Sequence, residues 1–554
     1  MTDPVAKTDT GPEAGAIYDL VVIGAGINGL GIARDAAARG LRVALVEKED
    51  IGSGTSSWSG RLIHGGLRYL EQGDIRLVRE SLRERERLFR LAPHLVKPVP
   101  LMMPFYAHNR RSKWTVRAGM IAYDLLSFDK STNMHRVLSR AETLKRFPRM
   151  HPDGLQGSAI FMDGQVVWSE RLCAEVALSA ASEGCHIFTH SRVDGFVQDG
   201  DRLTGVTYTD ALTGARHTLR TRLAVNAAGP WVDAVLKGQP AGGKRHIGGA
   251  KGSHLVVDPF PGAPDDVVYY ESREDGRLVL VIPWGDRYLI GTTDKKFDDD
   301  PDTVKADASE VDYLLSEVNS LIPTANLTRE DIRYTYSGVR PLPYVPEKSE
   351  WKVPRSHVIH DHAPECRGLL SIIGGKLTTY RSLAEETVDA IFKRLGRKAP
   401  RCTTATTLFP GARVEDFDAY RDQLAETTQA SAETVARLVH IYGARAGDIL
   451  AMGRNDPRML EVFDPDSGAI AAELVFTFRT EFCRTLADAL IRRIMVGLNG
   501  TCGRDVVERA AEILGDSEGW DAARRDSEIA TYTTYIRRFD VPGQSPRAAQ
   551  IAAQ

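Results

Sequence analysis

The chain has 554 residues, enough for roughly two to four domains, a formal net charge of −3 and the apolar and charged content of a soluble globular protein. With a sequence pI near 6.6 there is no global basic field, so nucleic acid is excluded as a partner; with no apolar run of about 18 residues or more, no bilayer-spanning helix is expected. The six cysteines (Cys173, Cys185, Cys366, Cys402, Cys483, Cys502) form no C-x-x-C pair and have no metal-ligand spacing, so they read as reduced core thiols with no metal site expected.

Residues 1–16 are polar and lack an apolar h-region, so a loose tail rather than a signal peptide is expected. Residues 20–23 are a short β-branched run that reads as a buried parallel strand. Gly24, Gly26 and Gly29 then spell G-x-G-x-x-G, with a helical stretch over 30–39, a stop at Gly40 and a second apolar strand over 41–46 ending on Glu47. Each part has a job: a tight turn, a close backbone approach to a pyrophosphate, a helix N-terminus aimed at phosphate, and a carboxylate for ribose hydroxyls. The unit accommodates NAD or FAD and does not choose between them; Glu47 argues against a 2′-phosphate by like-charge repulsion.

The next stretch, GTSSWSGRLIHGGLRYLE (54–71), puts small and hydroxyl residues before His-Gly-Gly and Arg-Tyr. It suits a loop laid along a flavin, with a cation turned toward an anionic substrate. A charged helix with a solvated face is expected over 76–91. From residue 61 to 150 there are 19 Lys and Arg against 8 Asp and Glu, and no acid lies between Arg87 and Tyr123. That gap contains an exposed-looking apolar run, PVPLMMPFY (98–106), and a helix in which Trp114, Ala118, Ile121, Leu125 and Phe128 recur on one face. A basic amphipathic helix with aromatics fits a segment lying in a membrane interface; the alternative is a surface helix packed on the core.

Farther on, residues 155–168 read as strand and turn, 171–183 as helix, and 186–192, 193–208 and 217–223 as strands around Asp-Gly and Thr-Gly turns. An apolar strand over 223–227 runs into AAGPWVD, where Gly229 and Pro230 open a short helix. Residues 249–333 are strand-rich and fit an antiparallel sheet on the substrate side. A buried strand over 369–373 ends in GGKLTTYRSLAEE, a second glycine turn whose helix N-terminus suits negative charge. Residues 416–442, 471–498 and 505–514 read as helices.

Ten segments, among them GAGINGLGIARDAAARG, TSSWSGRLIHGGLRYLE, NAAGPWVD, KGSHLVV, VIPWGDRYLIGTTD, YTYSGVRPL and GGKLTTYRSLAEE, resemble the FAD-dependent respiratory glycerol-3-phosphate dehydrogenases. These belong to the glycine-oxidase and D-amino-acid-oxidase-like flavoproteins. The resemblance covers about residues 17–400, and more weakly TEFCRTLADALIRRIMVGL; Gly60 and Arg61 stand where the family carries Ser or Thr and Lys. It implies an α/β + α fold. The expected parts are a tail (1–16), a discontinuous Rossmann-like FAD domain (17–96, 151–248, 334–400), a membrane-docking segment (97–150), an antiparallel substrate or cap domain (249–333), a C-terminal helical domain (401–540) and a loose tail (541–554).

The implied reaction is sn-glycerol 3-phosphate plus quinone to dihydroxyacetone phosphate plus quinol, with noncovalent FAD taking a hydride from C2 at N5. The implied location is the inner face of the cytoplasmic membrane, against anionic lipid and the quinone pool; the oligomeric state, homodimer included, stays open. Oxygen as acceptor, or an amine or 2-hydroxy acid as substrate, are the rivals. Arg68, Arg340 and Lys376 match the family's motifs as phosphate or alkoxide cations, with Arg355 a weaker fourth. His64 and His254 are the candidate bases, and Tyr69 a substrate hydrogen-bonder. The FAD contacts carried over are Gly24, Gly26, Asn28, Gly29, Glu47, Thr55, Ser56, Ser57, Gly229, Gly374, Gly375 and Thr378.

Overall fold

The computed structural model describes residues 15–71, 73–346 and 356–544, built into two large sheets and a C-terminal helical layer. The first sheet grows around β1 (Ile17–Ile23), which is followed by α1 (Ile27–Ala38) and β2 (Val43–Val46). β1 lies between β2 and the strand Arg216–Asn226, parallel to both, and so buries Leu20, Val21 and Val22 completely. That is why this strand is continuously apolar rather than alternating. Leu369–Ile373 and His186–Phe188 extend the sheet in parallel, and Val358–Asp361 closes one edge antiparallel. α1 packs with the helices Ser169–Ser182 and Tyr380–Arg394 against one face through a shared apolar core. A Cβ on Gly29 would sit 2.0 Å from the Gly24 carbonyl, so only glycine lets α1 start this close to the end of β1.

The second sheet has ten strands. Ile247–Val257 pairs along its length with Ile332–Pro343, and Val96–Tyr106 runs antiparallel to Leu155–Val166 and parallel to Val267–Glu271. Its membership cuts across the expected boundaries. Residues 155–166 and 334–343, read as part of the nucleotide domain, belong to strands of this sheet, and so does the start of the segment read as membrane-docking. PVPLMMPFY is not a surface run: Leu101, Met102, Met103, Phe105 and Tyr106 are buried because the strand has neighbours on both sides.

The helix Lys113–Leu126 does follow, capped by the Ser112 hydroxyl accepting from the Thr115 N–H. It buries Val116, Met120 and Tyr123. The face read from the sequence as apolar points outward: Trp114, Ile121, Leu125 and Phe128 are 65, 54, 71 and 78% exposed. Among the described residues, no helix is long and apolar enough to cross a membrane.

The C-terminal layer comprises helices from Phe417–Thr427 to Ala522–Tyr535. Buried ion pairs join it to the first sheet. Asp50, fully buried after β2, accepts from Arg492 at 2.6 Å and from Arg493 at 2.8 Å, and Glu481 accepts from Arg171 at 2.5 Å and from Arg445. In so little solvent these charges are tolerable only because each finds its partner.

Candidate active site

A cavity of about 370 Å³ opens at the carboxyl ends of the parallel strands, where Ile23, Val46 and Ala227 form part of its wall. Open α/β sheets bind their ligands in this place. Of the expected cofactor contacts, Gly24, Gly26, Asn28, Glu47, Thr55, Ser56, Gly229, Gly374 and Gly375 line it. Gly29, Ser57 and Thr378 instead lie buried outside the lining. Ser57 donates its hydroxyl to the Gly52 carbonyl at 2.7 Å, so it shapes the loop; Ser56 turns the other way and accepts from the Ile27 N–H at 3.0 Å, beside the start of α1. The second glycine turn is tied to the first by Asn28, whose amide donates to the Gly374 carbonyl at 3.2 Å.

The Glu47 carboxylate accepts from the Ala25 N–H at 2.6 Å and the Glu49 N–H at 2.9 Å. Burial pushes its pKa up, and those two N–H groups oppose the shift. The sequence reading missed the wall facing Glu47. Lys48 sits 4.3 Å above the Trp231 ring and pairs with Asp302, and all three line the cavity. Lys48 and Trp231 flank recognised motifs, but nothing in the sequence brings Asp302 to them.

The residues expected on the substrate side fall into two groups; of those described, only Lys376 lines the cavity, while His64, Tyr69, His254 and Arg340 do not. In the first, the His64-Gly65-Gly66 turn is held from beneath. The Gly65 N–H donates to the Tyr123 hydroxyl at 3.0 Å and to Asp163 at 3.1 Å, while Tyr123 and Arg85 both donate to Asp163. Gly66 has φ +77° and a Cβ there would meet the Tyr69 ring at 2.1 Å, so glycine is required for Tyr69 to fold back beside His64. Lys376, in the cavity wall, stands 3.6 Å from the Tyr69 ring centroid. Burial lowers the pKa of His64 and Lys376 lowers it further, with Asp163 opposing, so the imidazole is neutral at neutral pH.

In the second group, His254 is buried, stacked 4.8 Å from Tyr336, with neither ring nitrogen hydrogen-bonded among the described residues. Burial, Arg340 and Arg61 bring its pKa down to about 3. Arg340 donates to Asp294 at 2.8 Å and to Thr292 Oγ1 at 3.1 Å, and stays 28% exposed. Pro341 and Ser59, next to these residues, line the cavity. Arg61, the departure noted in the sequence, is scaffold: fully buried, it holds Glu170 bidentately at 2.7 and 2.8 Å beneath Trp284. The backbone of Arg68 lies on the short helix Leu67–Glu71, but its side chain, and Arg355 entirely, lie outside the described residues.

With this geometry in hand, the comparisons are specific. The FAD dependent oxidoreductase family model matches residues 19–381, and the C-terminal domain of alpha-glycerophosphate oxidase matches 402–525. A glycerol-3-phosphate dehydrogenase of Synechocystis sp. is 44% identical over 95% of this chain and 97% of its own. The chain belongs to the FAD-dependent glycerol-3-phosphate dehydrogenase family. An aerobic glycerol-3-phosphate dehydrogenase of Staphylococcus aureus is 34% identical over 86% of each chain. The glycerol-3-phosphate dehydrogenase of Bacillus halodurans, solved with FAD, superposes with a TM-score of 0.79 at 27% identity, covering 96% of this chain and 97% of its own.

FAD is therefore the cofactor of this flavoprotein, and the cavity fits it. Besides the glycine turns and Glu47, two buried polar atoms of lining residues, Asn28 Oδ1 and Trp231 Nε1, have no hydrogen-bond partner among the described residues. Buried polar groups are rarely left so unless a ligand or water meets them.

Proposed function

We propose that the enzyme oxidises sn-glycerol 3-phosphate at C2 to dihydroxyacetone phosphate and passes the electrons to a membrane quinone. The observation that carries the substrate assignment is the pairing of a cation with a neutral imidazole twice near the cavity: Lys376, in its wall, with His64, and Arg340, next to the lining residue Pro341, with His254. A phosphorylated secondary alcohol needs cations for its dianion and a base for its hydroxyl proton. FAD supplies the two-electron acceptor for the hydride leaving C2.

Arg340, fixed in orientation by Asp294 and Thr292, binds the phosphate. His254 takes the C2 hydroxyl proton. Its pKa in the free protein is far below the working pH, but a bound dianion raises it, because an opposite charge nearby favours the charged imidazolium. Lys376 stabilises negative charge developing on the substrate oxygen, and the Asp163–Tyr123 network positions His64 beside it.

Two features support quinone as acceptor. The outward face of Lys113–Leu126 presents apolar side chains beside Lys113 and Arg117, the chemistry of a surface seated on anionic lipid. Beneath it, an apolar cavity of about 360 Å³ is lined by Leu67, Leu70, Met103, Val116 and Leu278, next to the helix that carries Arg68 and Tyr69. The test is steady-state oxidation of glycerol 3-phosphate with a soluble quinone against oxygen alone. The proposal expects quinone-dependent turnover well above peroxide formation; stoichiometric peroxide at equal rates would make the enzyme an oxidase.

A further inference from the structure

Away from the flavin cavity, three histidines converge. His360 lies on the edge strand Val358–Asp361 of the first sheet, and His362 follows two residues later, on the same side of the extended chain. His246 arrives from 114 residues upstream in sequence, immediately before the strand Ile247–Val257 of the second sheet. Their ring centroids are 4.6, 4.7 and 5.5 Å apart, and one nitrogen from each lies within 4.8 Å of the other two.

Three imidazoles packed together need a reason, and hydrogen bonding among themselves does not supply it. His246 is 91% buried, yet its Nε2 has no partner among the described residues. The His362 Nε2 bonds to the Ser371 hydroxyl at 2.7 Å, which orients the ring and leaves Nδ1 as its open nitrogen. This is the outer contact that metal-ligating histidines characteristically make. The backbone is fixed on every side: the His246 N–H donates to the Asp233 carboxylate at 3.0 Å, its carbonyl accepts from Tyr344, and the His362 N–H donates to the Leu369 carbonyl. Half-buried His360 leaves a path from solvent.

We propose that His246, His360 and His362 bind one divalent transition-metal ion of the zinc class, pinning the edge of the first sheet to the start of the second. Three imidazole nitrogens with solvent as fourth ligand are a recognised zinc set, with metal–nitrogen distances of about 2.0–2.1 Å. Imidazole donors suit Zn²⁺, Ni²⁺ or Cu²⁺ and disfavour Mg²⁺ and Ca²⁺. The acidic groups acting on the cluster are Asp361 and Glu365, and Lys244 opposes them. The pinned segment reaches the flavin cavity, since a Cβ on Gly374 would lie 3.3 Å from the Ser356 carbonyl and 3.5 Å from the Cα of His357, just before the edge strand.

The test uses tag-free, full-length, FAD-loaded protein, stripped with chelator, given one equivalent of Zn²⁺ or Mg²⁺, desalted and analysed for metal. The proposal expects about one equivalent of zinc retained, no magnesium, and a rise in melting temperature with zinc. Co²⁺ substitution should give the visible bands of a tetrahedral site. His360→Ala with His362→Ala should abolish retention, and Ser371→Ala should weaken zinc affinity about tenfold. Should the double variant fail to fold, the half-exposed His360→Asn alone carries the test, with flavin content as the folding control. Wild-type protein that retains no zinc, or a folded variant that retains as much as wild type, overturns the proposal.

Discussion

His254 and Arg340 lie on the two paired strands of the second sheet, opposite Tyr336 and Ala250 respectively, and their consequences separate experimentally. Arg340→Ala should raise the KM for glycerol 3-phosphate about 100-fold, the loss of a charge-assisted pair, with flavin content unchanged. Steady-state kinetics beside the flavin spectrum checks this; loss of flavin would move Arg340 to the cofactor. His254→Asn should slow anaerobic flavin reduction at saturating substrate by roughly 10²–10⁴-fold. His64→Asn should cost less, because His64 acts beside Lys376 as a positioning group; stopped-flow rates in the reverse order would exchange the two roles. At this scale the sequence was informative for many residues in local motifs: Gly24, Glu47, Ser56 and Gly375 reach the cavity from their own turns, although Gly29, Ser57 and Thr378 from the same motifs do not line it. It was silent wherever the partner is remote. Asp302 against Lys48, Asp163 under Gly65 and Asp294 under Arg340 are set by tertiary packing alone.

Among the elements, the helix Lys113–Leu126 and the strand before it show two ways a pattern resolves. The helical recurrence of Trp114, Ile121 and Leu125 was legible, but the face it defines is the exposed one, and burial falls to Val116, Met120 and Tyr123. The strand Val96–Tyr106 was not legible, because Pro98, Pro100 and Pro104 remove ladder donors and argue against a central strand. If the outward face docks on lipid, Leu125→Glu with Phe128→Glu should reduce co-sedimentation with anionic vesicles at least tenfold while turnover with a soluble acceptor persists. Unchanged co-sedimentation would assign membrane contact elsewhere. The histidine cluster was equally hidden: H-D-H at 360–362 is visible, but its third member comes from the other sheet.

Taken whole, the molecule is held together by buried charge as well as apolar packing. Asp50→Ala would leave Arg492 and Arg493 without their shared buried carboxylate, and should cost about 3–5 kcal/mol in urea unfolding. Acid acts through buried histidines. His94 and His254 both fall to about 3 in the folded chain, His94 through burial and then Arg171, against about 6.5 unfolded. Below about pH 6.5 the unfolded chain takes up protons that the folded chain refuses. Stability is therefore full above that pH and is lost toward the folded pKa, by about 1.4 kcal/mol per pH unit per histidine. Urea midpoints measured from about pH 7 to about pH 4 should fall more steeply in wild type than in His94→Gln; parallel slopes would mean that His94 titrates normally.

The central claim is that one cavity brings FAD and a phosphorylated alcohol together. It is tested most directly by mixing the purified holoenzyme anaerobically with glycerol 3-phosphate or with glycerol and following the visible flavin band. The account predicts rapid bleaching by glycerol 3-phosphate and almost none by glycerol at the same concentration. Equal bleaching by both would contradict it, because the cations that distinguish the two substrates would then have no role.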